Sequence, residues 1–539
     1  MRAYAGIPHA QRPGLFVEEN AALLRRYAYL EQRLALAAAG HLPGTATIEF
    51  KHALARHAWE DGQHADALRR RIVTMRTSAH LLEECPDPAL EALCDELERT
   101  TDEAEFAAGL FGVVKPALLR AYLWHLEVTN PVADYPTARE LEIIVREESH
   151  QLAWGAEALA ELAGGVAAQP AVASAAAGGA GRPSSVAEPL RPDAAAVPAA
   201  GAGVPAGPLP GAAQGGPPVG SPRDPEPGAA ARALAWQRHL ATFLGAAGGV
   251  TGREARGDAE APRSAEPFRL SPHPRRDPRF TIHFQFGEPG DVPASTVPEK
   301  LIFMMRGRLN ELAATENPAS AVYEMARGGD PMPWDAVVEL LRHMWDEARH
   351  SMLGQAVIES LGRDIREWPL RIGPGYSYLS VGALERYAHL GLNVEQGMMR
   401  YPPGKREEFE WCRDVARYPL AAMYQDYDWS DEVYHTQIAR RWVARLLGDA
   451  EGRPAGAERM RAFAAQAGGR MGARTKAISD LWYARRSEGR TLSEGDALPP
   501  GEPGDPGGAS AAPNEYAAPE ITLTKEAVDA DLERVRHAE

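Results

Sequence analysis

Apolar positions recur at helical spacing along most of the chain, and the runs stop where helix-ending residues stand. Residues 17–40 (VEENAALLRRYAYLEQRLALAAAG) carry Leu, Tyr and Ala on one face and end at Gly40. Beyond the loop HLPGTAT, Thr47 is placed to cap a second helix over 47–76. Pro86 and Pro88 break the chain, and helices are expected over 89–98, 102–128 and, from Thr137, to Leu162. The pattern returns at Pro298. Helices are expected there over 298–316 with an extension to 327, then 333–361, 378–400, 405–417, 420–447 and 455–487. Long amphipathic helices with short connections predict an all-α chain of helical bundles.

Between the two helical regions the periodicity is lost. Residues 164–263 are rich in Ala, Pro and Gly, as in PAGPLPGAAQGGPPVGSP. Too few large apolar side chains remain to offset the entropy of ordering, so this stretch reads as a disordered linker. One short helix is expected inside it at 230–247, where Trp236, Leu240 and Phe243 could dock transiently. Residues 266–297 read as an extended arm holding one strand, PRFTIHFQFG at 278–287, with no partner strand in sight. The tail, 488–539, reads as disordered apart from a short polar helix at 524–537. The expected domains are therefore a bundle at 17–162, the linker, the arm, a second bundle with an additional C-terminal helix at 298–487, and the tail.

The two helical regions echo each other. Residues 57–64 read HAWEDGQH and residues 343–350 read HMWDEARH. Further on, Glu147 and His150 stand in REESHQ, and Glu432 and His435 in SDEVYHTQ. The separation from Asp61 to Glu147 is 147 − 61 = 86, and from Glu347 to Glu432 it is 432 − 347 = 85. The period, 347 − 61 = 286, makes this a tandem duplication and not a solenoid.

These motifs carry a recognisable chemistry. A four-helix bundle holding two metal ions needs a Glu from each of two helices and a Glu-x-x-His pair from each of the other two. In the second repeat Glu347/His350 and Glu432/His435 are the pairs. Glu311 precedes the first pair by 36 residues and Glu395 precedes the second by 37. Glu316 and Glu324 rival Glu311 on the first helix, and Glu385 rivals Glu395 on the third. His343, one turn before Glu347, is an extra candidate ligand. The first repeat is less complete. Glu31, Asp61, His64, Glu147 and His150 are its weaker set. Helix three offers no acid at the depth of Glu395, Glu105 is displaced, and Lys115 and Arg120 lie on that helix, where a cation could replace metal charge.

The order Glu, Glu-x-x-His, Glu, Glu-x-x-His resembles the ferritin-like di-iron carboxylate superfamily, well over 298–448 and weakly over 17–162. YDWSDEVYHTQIARRW also resembles uncharacterised bacterial ferritin-like domain proteins. The resemblance implies two ferritin-like four-helix bundles joined by the linker. It implies two iron ions, or manganese and iron, in the second bundle, and an oxidase or oxygenase acting on a small organic substrate with dioxygen. No glycine fingerprint for a flavin or nicotinamide is evident, so electrons are expected from an external donor, such as a partner reductase. The alternatives are a non-catalytic metal-binding or protein-interaction scaffold, and simple iron oxidation or storage.

Composition trims the partners. The formal net charge of −16 over 539 residues argues against a general nucleic-acid or anionic-membrane binder. Cys85, Cys94 and Cys412 form no disulfide framework or zinc-finger spacing. No apolar targeting segment opens the sequence and no run of about 18 apolar residues stands out, so a cytoplasmic location is expected. Trp345 and Tyr434 lie near candidate ligands and read as packing residues.

Overall fold

The computed structural model describes residues 3–163, 228–285, 295–328, 332–400, 404–448, 453–493 and 495–499. It is mostly helical. The first repeat comprises α1 (Val17–His41), α2 (Ile48–Val73), α3 (Pro88–Glu98), α4 (Glu103–Gly109), a π-helical turn at Leu110–Val114, α5 (Lys115–Val128) and α6 (Tyr135–Leu162). Helix α7 (Ala229–Ala246) and strand β1 (Ile282–His283) follow. The second repeat comprises α8 (Val297–Leu309), α9 (Leu312–Arg327), α10 (Trp334–Ser360), strand β2 (Leu370–Arg371), α11 (Gly373–Leu379), α12 (Ala383–His389), a π turn at Leu390–Glu395, α13 (Gln396–Arg400), α14 (Lys405–Asp414) and α15 (Pro419–Gly448). Helix α16 (Ala457–Ser487) is the additional C-terminal helix.

Local chemistry sets most boundaries. Asp87, Asp102 and Asp134 accept hydrogen bonds from the backbone N–H groups of Ala89, Glu105 and Thr137, which leaves α6 starting at Tyr135 and not at Thr137. Thr296 and Glu299 close a reciprocal capping box at α8. Thr47 precedes α2 as expected but makes no capping bond. The Glu103 carboxylate accepts the N–H groups of Ala46 and Thr47 instead.

The two repeats are packed face to face. Helix α1 packs on α9 and α2 packs on α10. A single hydrophobic cluster runs from Leu24, Leu30 and Leu34 through Val322, Leu340 and Met344 to Ile438 and Val443. Gly62 lets α2 and α10 approach closely, because a Cβ there would stand 2.7 Å from Leu341 Cδ1. Polar ties cross the same boundary: Tyr323 donates to Glu98 at 2.9 Å, and His52 Nε2 meets Ser351 Oγ at 3.0 Å. Glu316 is the buried tie between three parts of the chain, taking a forked pair of bonds from Arg276 of the arm and the Lys51 ammonium of α2.

Three expectations outside the bundles change. The linker expected over 164–263 is ordered in its described portion. Trp236, Leu240 and Phe243 of α7 are buried on α3, α4 and the first π turn, and residues 248–263 run back along the first repeat, with Arg26 donating to the carbonyls of Ala247 and Val250. A stretch poor in apolar residues holds because its few large ones are all used. Residues 164–227 lie outside the described set. The strand does find a partner: β1 pairs in parallel with β2, Ile282 opposite Leu370. The tail is partly ordered as well, since Leu492 packs with Trp482 and Asp496 accepts from Arg485; residues 500–539, with the helix expected at 524–537, lie outside the described residues. The stretch Glu103–Val128 is long and apolar enough for a membrane span, but 78% of its most apolar window is buried in the core.

Candidate metal centre

Helices α10 and α15 present matching faces. On α10, His343, Glu347 and His350 stand at i, i+4 and i+7; on α15, Asp428, Glu432 and His435 do the same, and all six are buried. The break between α8 and α9 adds Glu311, and the end of the second π turn adds Glu395. Single π turns inside helices often mark functional sites, because the inserted residue re-aims the side chains around it.

Two groups of four ligand atoms result, the atoms of each within 4.8 Å of one another. One is His343, Glu347, Glu395 and His435; the other is Glu311, His350, Asp428 and Glu432. Glu347 reaches both, with Oε1 3.3 Å from His435 Nδ1 and Oε2 3.8 Å from His350 Nδ1. Such buried groups could hold metal ions, and their loose ends fit that use. His350 Nδ1, His435 Nδ1, Glu311 Oε2, Glu395 Oε2 and Glu432 Oε2 are buried without a hydrogen bond. A native core rarely tolerates so many unpaired polar atoms in one place unless something else binds them.

The outer nitrogens of the two histidines are held crosswise. His350 Nε2 lies 3.3 Å from Asp431 Oδ2, beside Glu432 on α15, and His435 Nε2 lies 3.4 Å from Asp346 Oδ2, beside Glu347 on α10. A carboxylate on one ring nitrogen fixes the tautomer that leaves a lone pair on the other. Arg349 clasps both Asp346 and Asp431.

The electrostatics are those of a crowded acid cluster. Burial opposes ionisation of Glu347, but His343, His350 and His435 outweigh it and hold its pKa well below the usual range. Glu432 goes the other way: burial, with Glu395 and Glu347 close by, pushes it up to about 8 despite Lys405. Burial is outweighed at Asp428 by Arg308 and Lys405, which bring it down to about 2. Lys405 Nζ lies 2.9 Å from Asp428 and 2.8 Å from Glu432, and Arg308 pairs with Glu311. With all five carboxylates ionised, as metal ligation requires, these two cations would leave three negative charges for the ions to offset.

Of the rival ligands, Glu385 caps α12 and pairs with Arg470, Glu324 pairs with Arg386, and Glu316 pairs with Arg276 of the arm and Lys51 of α2. His343 stands with the ligand group, Nε2 2.8 Å from Glu395 and Nδ1 3.2 Å from the Tyr387 hydroxyl. Trp345 and Tyr434 are partly buried hydrophobics packed against the core.

The first repeat brings together Glu31, Asp61, His64 and Glu148. Here two expectations fail. Glu147 is displaced to the rim, where it binds His64 Nε2 at 2.9 Å, and His150 is exposed. The inward pair on α6 is Glu148 and Gln151, one residue further along. Three positions of α15 then have counterparts, while Asp428 corresponds to the buried Ile144. Glu147 stands as Asp431, Glu148 as Glu432, and Gln151 as His435, with Gln151 donating to Glu60 at 3.0 Å where His435 faces Asp346. The helix-three register also moves. Aligned from the first residue of each π turn, Leu110 and Leu390, Lys115 takes the position of Glu395. Its ammonium lies 2.9 Å from Asp61 and 2.8 Å from Glu148. Arg120 is exposed, Glu105 pairs with Arg263, and His57 is buried against Phe111 and Trp154, outside the group.

Asp428, Lys405, Asp346, Asp431, Glu148 and Gln151 are absent from the sequence-based set. Asp428 was findable, since it precedes Glu432 by one turn as His343 precedes Glu347. Lys405 comes from α14 after residues 401–403, and no pattern announces it. No family model, curated protein or solved structure matches this chain, so the reading of the centre rests on its own geometry.

Proposed function

We propose that the second repeat is a ferritin-like four-helix unit holding two iron ions, or manganese and iron, and acting as an oxidase or oxygenase of a small organic substrate. The observation that carries this reading is the pair of adjacent four-ligand groups, with Glu347 of one reaching towards His350 of the other, the inner nitrogens of His350 and His435 unpaired and their outer nitrogens on carboxylates. When bound, the two ions would supply the electrons and open positions needed to reduce dioxygen. The chain's own residues do the rest. Glu311, Glu347, Glu395, Glu432, His350 and His435 would hold the ions, and Asp346 and Asp431 keep the imidazoles oriented. The apolar residues around α10 and α15 exclude water. Electrons come from a donor outside the chain, and the expected setting is cytoplasmic.

A second reading, a non-catalytic scaffold, is favoured by Lys405 and Arg308, whose charges partly satisfy the same carboxylates without metal. Metal content after anaerobic loading with iron(II), followed by the optical spectrum on adding oxygen, separates the two. The enzyme reading expects two irons in the second repeat and an oxygen-dependent absorption band, both lost in Glu347→Ala and Glu432→Ala. Iron uptake that neither substitution alters would leave the scaffold.

A further inference from the structure

The first-repeat centre has lost one half of the arrangement and kept most of the other, with Ile144 standing where the second repeat has Asp428. Where the second repeat places Glu395 and His435, the first has Lys115 and Gln151, and His57 has turned to pack with Phe111 and Trp154. No cation fits among an ammonium, an amide and a turned-away imidazole. Four other positions survive: Glu31 stands as Glu311, Asp61 as Glu347, His64 as His350 and Glu148 as Glu432. All four are buried, and their ligand atoms lie within 4.8 Å of one another.

We infer that this group is a mononuclear site for a first-row divalent cation, with the Lys115 ammonium standing permanently in place of a second ion. Three unpaired atoms aim at the site: Glu31 Oε2, His64 Nδ1 and Glu148 Oε2 are buried without a hydrogen bond. Their carboxylate partners are engaged on the other side. Glu31 Oε1 accepts from Tyr122 at 2.6 Å, and Glu148 Oε1 and Asp61 Oδ1 accept from Lys115. Glu147, 2.9 Å from His64 Nε2, favours the tautomer whose Nδ1 lone pair is offered to an ion, and Nδ1 faces inward, 3.3 Å from Glu31 and 3.7 Å from Glu148. The charge closes too. With all three carboxylates ionised as ligands and His64 neutral, Glu31, Asp61 and Glu148 against Lys115 would carry two negative charges, which one divalent cation neutralises. One imidazole with three carboxylates suits manganese(II), iron(II), cobalt(II) or zinc(II) better than calcium, which prefers oxygen ligands throughout.

The site is independent of the second centre, and one titration keeps them apart. Full-length protein is stripped of metal, titrated with cobalt(II), and followed by its visible absorption and by elemental analysis. Three variants are compared: His64→Ala, the near-isosteric Glu148→Gln as a safeguard should the first not fold, and the double substitution Glu347→Ala/Glu432→Ala. The expected result is one cobalt ion retained in the double variant, and a loss of one ion per chain in His64→Ala or Glu148→Gln. Were the dinuclear reading of the second repeat wrong, the unsubstituted chain would bind a single ion, still removed by His64→Ala. The inference is overturned if the double variant binds no cobalt, or if neither first-repeat substitution changes the stoichiometry.

Discussion

The two centres of this chain are built on the same skeleton and differ in what occupies one corner. In the second repeat the corner is Glu395 and His435, facing Glu347 across open ligand atoms. In the first it is Lys115 and Gln151, both bonded to Asp61. An ammonium and a divalent ion solve the same problem, a cluster of carboxylates buried in a low-dielectric core. The lysine does so at one fixed geometry and with no chemistry to offer. The difference teaches that one skeleton can carry two electrostatic solutions while keeping what surrounds them: the π turn and the carboxylate on the outer histidine nitrogen stand in both repeats.

The largest expected effect comes from the lysine. Lys115→Met leaves Asp61, Glu148 and Glu31 buried without their countercharge, and should cost about 3–5 kcal/mol in urea unfolding of metal-free protein. A loss below about 1 kcal/mol would mean the ammonium is not what balances the first centre. Lys405→Met should cost markedly less once the second centre is loaded with manganese, because the ions take over its role.

Acid should open the first repeat. Burial holds His41 down to about 4, opposed only weakly by its bond to the Glu98 carbonyl, and His125 likewise to about 4. Both are neutral in the fold and titrate near 6.5 when unfolded. Their folded pKa values lie below the unfolded ones, so the unfolded chain takes up protons first. Stability is therefore full above about pH 6.5 and falls towards pH 4, by about 1.4 kcal/mol per pH unit for each histidine. His41→Phe, which keeps the stack between Phe106 and Phe268, should flatten the pH dependence of the urea midpoint by one histidine's share. An unchanged slope would remove His41 from the account.

A smaller effect isolates the outer carboxylates. Asp346→Asn, next to Glu347 and facing His435, should weaken manganese binding in the second repeat by about 10–100-fold with little change in the first. Equal losses in both would show that the repeats are coupled and not parallel. The smallest effect belongs to His150→Ala, which should leave metal content and stability unchanged because the side chain is exposed.

The helices of both regions were legible in the sequence, as were six residues that the second centre gathers, because periodicity and Glu-x-x-His spacing are local signals. What stayed hidden depends on register. A π turn shifts helix three by a fraction of a turn, so the position of Glu395 in the first repeat cannot be counted off from the octet. The same one-residue ambiguity made His150 look like a ligand, when REESHQ also contains Glu148 and Gln151 at the same spacing. The shared core and the ordered stretch from Gly228 to Arg263 were hidden for another reason: contacts such as Arg26 with Val250 join residues far apart in sequence and leave no periodic trace.

The central claim is that the second repeat holds two ions and the first repeat differs from it at Lys115. Crystals grown from protein loaded anaerobically with iron(II) and measured at the iron edge test it most directly. The account predicts two anomalous peaks about 3.5–4 Å apart in the second repeat, one among His343, Glu347, Glu395 and His435, the other among Glu311, His350, Asp428 and Glu432, and a single third peak among Glu31, Asp61, His64 and Glu148. No peak is expected between Asp61 and Lys115. The absence of density in the second repeat, with the Lys405 ammonium still lodged between Asp428 and Glu432, would contradict it.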